Sequence, residues 1–349
     1  METGRDRPPF TAGTSSDVPS SARTPGRHCI RNDRLEGKDV STNSLKEPTD
    51  RGRAGDKIFS GVSLAAGVLI LAVLFSVAVF LLVQAAPTFT ADPTEITGGE
   101  GFAAYIVPII IGTVIAATIA LVIATPIAIA VALFISHYAP RRLARAFGYV
   151  IDLLAAIPSV IYGAWGYIVL APQLATVYAW LAENLGWIPI FTGPASQTGK
   201  TMLTVGIVLA VMVIPIITSL SREIFLQTPS LHEEAALAMG ATRWEMVRMA
   251  VLPFARPGII SATMLGLGRA LGETMAVALV LSPGALVASL VKTGNQTIAA
   301  EIALNFPEAF GLRLNELIAA GLVLFVITLI VNMIARFIIT RHKEFSGAN

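Results

Sequence analysis

The chain has 349 residues, 54% of them hydrophobic and only 14% charged, and its mean hydropathy is +0.70. Soluble domains carry about 25% charged residues, so this composition cannot clothe a water-soluble fold, and an ordinary cytosolic enzyme is excluded. A net charge of +2 argues equally against a nucleic-acid partner, whose phosphates demand a basic face.

Residues 1–56 are rich in Ser, Thr, Pro, Gly, Arg and Asp, with 11 Lys/Arg against 9 Asp/Glu through Lys57 and no apolar run. Such a segment cannot bury enough surface to offset its ordering entropy. It reads as a disordered polar tail with room for a docking role, and its apolar stretch begins too late for a signal peptide. The single cysteine, Cys29, falls here, so no intramolecular disulfide braces the chain. The histidines, His28, His137, His232 and His342, are scattered without ligand-like spacing, and no metal site is expected.

The apolar runs follow over 57–343, before a short tail at 344–349. Six spans are predicted: 58–86, 105–135 with a kink or break at Pro126, and 144–170 interrupted at Ile157-Pro158-Ser159; then 202–220, 258–281 and 316–339. Each is long enough to cross a hydrocarbon core of about 30 Å. An all-α integral membrane fold with both termini on one side follows. The tail, Arg141, Arg142 and Arg145, the 221–257 loop and the C-terminal end hold nearly all the basic residues, against Lys200, Lys292 and Arg313 in the opposite loops. The positive-inside rule therefore puts both termini and the 221–257 loop in the cytoplasm. Residues 171–201 are expected as an outer loop, with Trp180 and Trp187 suited to the interface.

Three local patterns fail their context. Gly193 to Thr201 resembles a phosphate loop, but its glycine spacing is one residue too long and no strand precedes it. Asn295-Gln296-Thr297 matches a glycosylation sequon, which chance supplies often. Gly266, Gly268 and Gly272 lie in an apolar span, where small residues serve close helix packing rather than dinucleotide binding.

Two stretches carry chemistry. The first, within 221–257, reads as a helix opened by Glu233 and Glu234, low in profile at Ala235 and Ala236 and broken at Gly240. A second short helix follows, with Trp244, Val247 and Val251 in register and a stop at Pro253. This pattern suits either docking into a partner's groove or a simple surface connection. In the second stretch, Arg269 and Glu273 lie in the fifth span, one helical turn apart. Arg-before-Glu is the weaker helical order, and a midplane charge costs about 2.5–3.5 kcal/mol on insertion scales. The pair is either a packing pin or part of an anion pathway.

Glu234-Ala235-Ala236, Gly240 and Leu252-Pro253 resemble the EAA loop of binding-protein-dependent ABC importer permeases, departing only at Ala250, where isoleucine is usual. Gly268 to Val277 resembles the GRALGETMAV segment of phosphate-specific permeases of the PstC type, and Leu153 to Gly163 also reads like that family. The likeness implies a six-helix MetI-like fold in a bacterial inner membrane. It implies a heterodimer with a PstA-type permease, a PstB-type ATPase dimer docked on the EAA loop, and a PstS-type external phosphate-binding protein. ATP and Mg would belong to the ATPase, leaving this chain without catalytic residues or cofactor. Arg269, Glu273, Thr274 and Ser159 would line the phosphate path. The alternatives are a permease for another oxyanion or an ATP-independent ion carrier; the RALGET stretch opposes the first and the EAA loop the second.

Overall fold

The computed structural model describes residues 51–284 and 287–343. The chain divides into two compact units, 1–63 and 64–349. In the first unit, the described residues are helical from Arg51, so helix begins before the predicted boundary at 56; the rest of the expected tail, Cys29 and residues 344–349 lie outside the described residues. In lipid every backbone N–H and C=O must be satisfied within the segment, and long apolar runs therefore fold as helices.

Helix α1 covers Arg51–Thr90 and α2 Phe102–Leu133, the latter running on through a π-turn to Tyr138 and carrying Pro126 without a break. Between them, Gly98, Gly99 and Gly101 take positive φ and turn the chain. Helices α3 (Arg141–Ala155), α4 (Ser159–Trp165) and α5 (Ala171–Leu185) follow, the last two joined by a π-turn at Gly166–Leu170. Next come α6 (Met202–Leu226), α7 (Ser230–Ala238) and α8 (Arg243–Met246), then a π-turn at Val247–Val251 leading into α9 (Leu252–Leu271). The last described helices are α10 (Met275–Val280), α11 (Ile298–Asn305) and α12 (Leu312–Lys343). Among the described residues, six stretches are long and apolar enough to span: 55–90, 102–138, 159–185, 202–226, 243–271 and 312–340. No strand occurs among the described residues.

Two predicted spans are corrected. The third is not 144–170. Pro158 lacks an N–H and restricts Ile157, so α3 ends at Ala155 and the spanning helix starts at Ser159 and reaches Leu185. Trp180 consequently lies in that helix, and the outer loop shortens to 186–201. The fifth span starts earlier and ends sooner. Pro253 occupies the first turn of α9, where a missing N–H is tolerated, and helix runs through the π-turn from Arg243 to Leu271.

The core forms where α2, α6 and α9 pack. Ala116, Ala120, Ala124, Ala128 and Ala132 recur every fourth residue on α2 and are buried, giving α6 a flat surface to approach. Gly266 of α9 closes the third side: an added Cβ would lie 2.7 Å from Val213 and 2.9 Å from Ile217. The expected packing role thus holds at Gly266. It does not hold at Gly268, where a Cβ would meet nothing within 4 Å.

Candidate translocation and coupling sites

The helix carrying Arg269 ends two residues later at Leu271, and Gly272 closes it. Arg269 and Glu273 are therefore not a turn apart on one helix, and no ion pair joins them among the described residues. Glu273 turns instead to the next helix. It is buried, and its Oε1 accepts a hydrogen bond from the Ala276 N–H at 3.1 Å, capping α10. A carboxylate there satisfies an orphan donor and faces the positive end of the helix.

Arg269 is left without its expected partner. Its Nε is buried with no hydrogen bond among the described residues, and Arg269 lines a cavity of about 750 Å³ between α9 and α12. Gly268, Ser261, Asn332 and Arg336 line the same cavity. The openness at Gly268 has its reason here, since a side chain would project from the wall beside Arg269. Glu273, Thr274 and Ser159 are not in this wall. Thr274 is half-buried at the start of α10, and Ser159 opens α4. These two elements pack together, with Gly163 against Ala276, and the Tyr162 hydroxyl lies within electrostatic reach of Arg269. Of the four residues expected along the path, only Arg269 lines this cavity, and no hydrogen bond or ion pair among the described residues joins Ser159 to Arg269, Glu273 or Thr274.

The loop after α6 forms the second site. Ala236 is buried with Ala132, Leu133, Phe225, Met246, Val247 and Val251, which fixes α7 on the ends of α2 and α6. Glu233 is tied to His137, Oε1 to Nε2 at 3.3 Å, and His137 Nδ1 meets Ser136 Oγ at 2.7 Å. Gly240 takes φ +86, a left-handed conformation that other residues adopt only with strain. After it, the Thr242 hydroxyl accepts from the Glu245 N–H and Glu245 reaches back to the Thr242 N–H, a complete capping box that starts α8. Glu234 and Ala235 face outward with Leu231, Leu237 and Met239, the last 80% exposed. Trp244 is exposed as well, so it does not share the buried stripe of Val247 and Val251 that its spacing predicted. Leu252 is half-buried and Pro253 exposed.

A polar cluster at the other end of the bundle escaped the sequence reading. Arg313 binds Glu301 Oε1 and Glu316 Oε2 at 2.8 Å each, and Glu316 also accepts from the Thr97 N–H and hydroxyl. Tyr105 donates to Glu301 and lies beneath the Arg313 guanidinium. The i, i+3 spacing of Arg313 and Glu316 was its visible signal. Nearby, the Asn295 amide bonds both backbone groups of Val287, at 2.8 and 3.0 Å, and is buried. The sequon asparagine is thus a loop clamp.

A spanning bundle with a helix–Gly–helix loop at one end and a broken, arginine-bearing helix within is the architecture of a transport permease. Residues 124–343 match the family model described as binding-protein-dependent transport system inner membrane component. The "Phosphate transport system permease protein PstC 2" of Mycobacterium tuberculosis is 45% identical over 298 residues, covering 82% of this chain and 92% of that one. The PstC of Xylella fastidiosa strain Temecula1 is 37% identical over 347 residues, covering 96% and 99%. A chain of a bacterial ABC transporter that imports the acidic polysaccharide alginate shares the fold, with TM-score 0.57 at 18% identity over 83% of this chain and 98% of that one. This chain belongs to the binding-protein-dependent ABC importer permeases and, within them, to the PstC family.

Proposed function

We propose that this chain forms one half of the translocation pathway of an ATP-driven phosphate importer. The observation that carries the reading is Arg269, whose buried Nε has no hydrogen-bond partner among the described residues, on the wall of a cavity between two spanning helices. A charge in that setting is costly and marks a pathway, and guanidinium suits phosphate because it stays charged and donates in a planar fork. The names of the PstC relatives point to the same cargo. A purely structural ion pair would have Glu273 at Arg269, and that carboxylate is committed to the α10 cap.

In this reading a PstA-type permease completes the pathway, a PstS-type protein delivers phosphate from outside, and a PstB-type ATPase dimer binds ATP and Mg. The assembly lies in the bacterial inner membrane with both termini cytoplasmic. The exposed side of α7, with Glu234 and Ala235, docks on the ATPase, and Gly240 lets the chain return into α8. Closure of the ATPases would move α7, and through its Ala236 packing the ends of α2 and α6, biasing a two-state alternation of access.

Radioactive phosphate uptake in cells lacking other high-affinity importers tests the pathway. Arg269→Gln is expected to abolish uptake at normal protein level, and Arg269→Lys to restore part of it at most, since charge returns without the fork. The double change Arg269→Gln with Glu273→Gln is expected to stay inactive. Near-normal uptake in the double variant beside an inactive single one would overturn the assignment, because neutralising both members rescues only a structural pair.

A further inference from the structure

A cleft of about 500 Å³ lies between α3, the π-turn closing α2 and the last turns of α6, at the end of the bundle that carries α7. Three arginines line it, Arg141, Arg145 and Arg222, beside Ser136, Tyr149 and, among the described residues, one acidic residue, Asp152. None of the three arginines makes an ion pair among the described residues. The cleft is built to admit one of them closely. A Cβ at Gly148 would lie 3.2 Å from Arg222 Nη1 and 3.4 Å from its Cζ, so the bare backbone of α3 lets the Arg222 guanidinium rest against it.

We propose that this cleft binds the phosphoryl headgroup of an anionic membrane lipid. Planar guanidinium forks suit phosphoryl oxygens, and basic pockets among helices at the cytoplasmic surface are where such headgroups bind. Free inorganic phosphate shares that chemistry. The form of α3 favours the lipid. Arg141, Arg145, Gly148 and Asp152 share the stripe that faces the cleft, while Leu143, Phe147, Val150 and Leu154 form the opposite stripe and are exposed. Helices of this type lie in the membrane interface with the apolar side among acyl chains, which brings headgroups to the cleft. The inference rests on the membrane placement proposed above and is independent of the cargo.

The test uses the full chain, purified with its co-expressed partner subunits and held in nanodiscs of phosphatidylcholine with graded phosphatidylglycerol. Native mass spectrometry after mild delipidation reads the retained phosphatidylglycerol. Wild type and Arg142→Gln, whose side chain is outside the cleft, are expected to retain it alike. Arg145→Gln with Arg222→Gln is expected to lower retention about fivefold for each arginine removed, and Arg145→Lys with Arg222→Lys to recover part of it. Unchanged retention in the double Gln variant would overturn the proposal. So would radiolabelled inorganic phosphate binding to wild type that retains no lipid and vanishing in that variant, which would assign the same arginines to free phosphate. Arg269→Gln is expected to retain lipid as wild type does; this separates failure of the headgroup site from failure of the phosphate pathway.

Discussion

Arg313 is bound by two carboxylates at 2.8 Å and stacked on Tyr105, whereas Arg269 has a buried Nε with no partner among the described residues. The difference makes opposite predictions for stability and transport. Arg313→Gln leaves Glu316, which is only 1% exposed, facing Thr97 without its counter-charge. Stranding one member of a fully buried pair costs about 3–5 kcal/mol; Arg313 is 27% exposed, so the cost here is smaller, and this variant is expected to unfold at lower temperature or denaturant concentration in detergent. Arg269→Gln removes a charge that the described residues do not compensate, and it is expected to keep wild-type melting while losing uptake. Melting curves of the two purified variants check this. A cold-shifted Arg269→Gln beside an unshifted Arg313→Gln would reverse the roles given to the two arginines. The sequence marked Arg269 because an arginine inside an apolar run is conspicuous at any register. It could not show that Glu273 turns away, because that depends on the helix ending at Gly272, and a small residue is equally at home inside a tightly packed membrane helix.

At the scale of elements, α7 is held by one buried side and offers the other. Ala236 fixes it to the bundle, while Leu231, Glu234, Leu237 and Met239 are exposed. Glu234→Lys reverses a charge on the free side, and Gly240→Asp puts a side chain where φ is +86. The strain of that conformation is about 1–2 kcal/mol for an ordinary residue, and aspartate, which tolerates it better than most, also adds charge to the turn. Both variants are expected to insert normally and to lose most of the ATPase retained after detergent extraction. Wild-type retention in both would overturn docking through α7. The helix–Gly–helix form was legible because Glu233, Glu234 and Gly240 act through local rules of dipole and turn, whereas the Thr242–Glu245 capping box was not read from the sequence. The partition of 141–185 was less legible. Hydropathy over 144–170 is high on average, and the polar stripe of Arg145 and Asp152 that marks α3 as non-spanning is separated by a helical period rather than gathered in a run. The alanine ladder on α2 was likewise present in the sequence, but only the approach of α6 gives it meaning.

Across the whole molecule, the two ends of the bundle treat their cations differently. At the end bearing the loop 186–201, Lys200 lies over the Tyr167 ring at 4.3 Å, and Arg313 is neutralised by Glu301 and Glu316. At the end bearing α7, Arg141, Arg142, Arg145 and Arg222 make no ion pair among the described residues. Retention of basic residues on the cytoplasmic side responds to cations near the span ends, so the asymmetry agrees with the bare count and adds to it. We therefore predict that the α7 end faces the cytoplasm. The probe positions must respect the structure. Trp187 and Met239 are 79% and 80% exposed, and Met239 closes α7 through its backbone alone, which a cysteine keeps. With Cys29 first replaced by Ser, Trp187→Cys is expected to react with an impermeant maleimide in intact spheroplasts. Met239→Cys is expected to react only after the membrane is opened, and, if α7 is docked, more strongly once the ATPase has been stripped away. Labelling of Met239→Cys in sealed spheroplasts would turn the molecule over, carrying the α3 cleft to the outer leaflet and α7 out of reach of any ATP-hydrolysing partner.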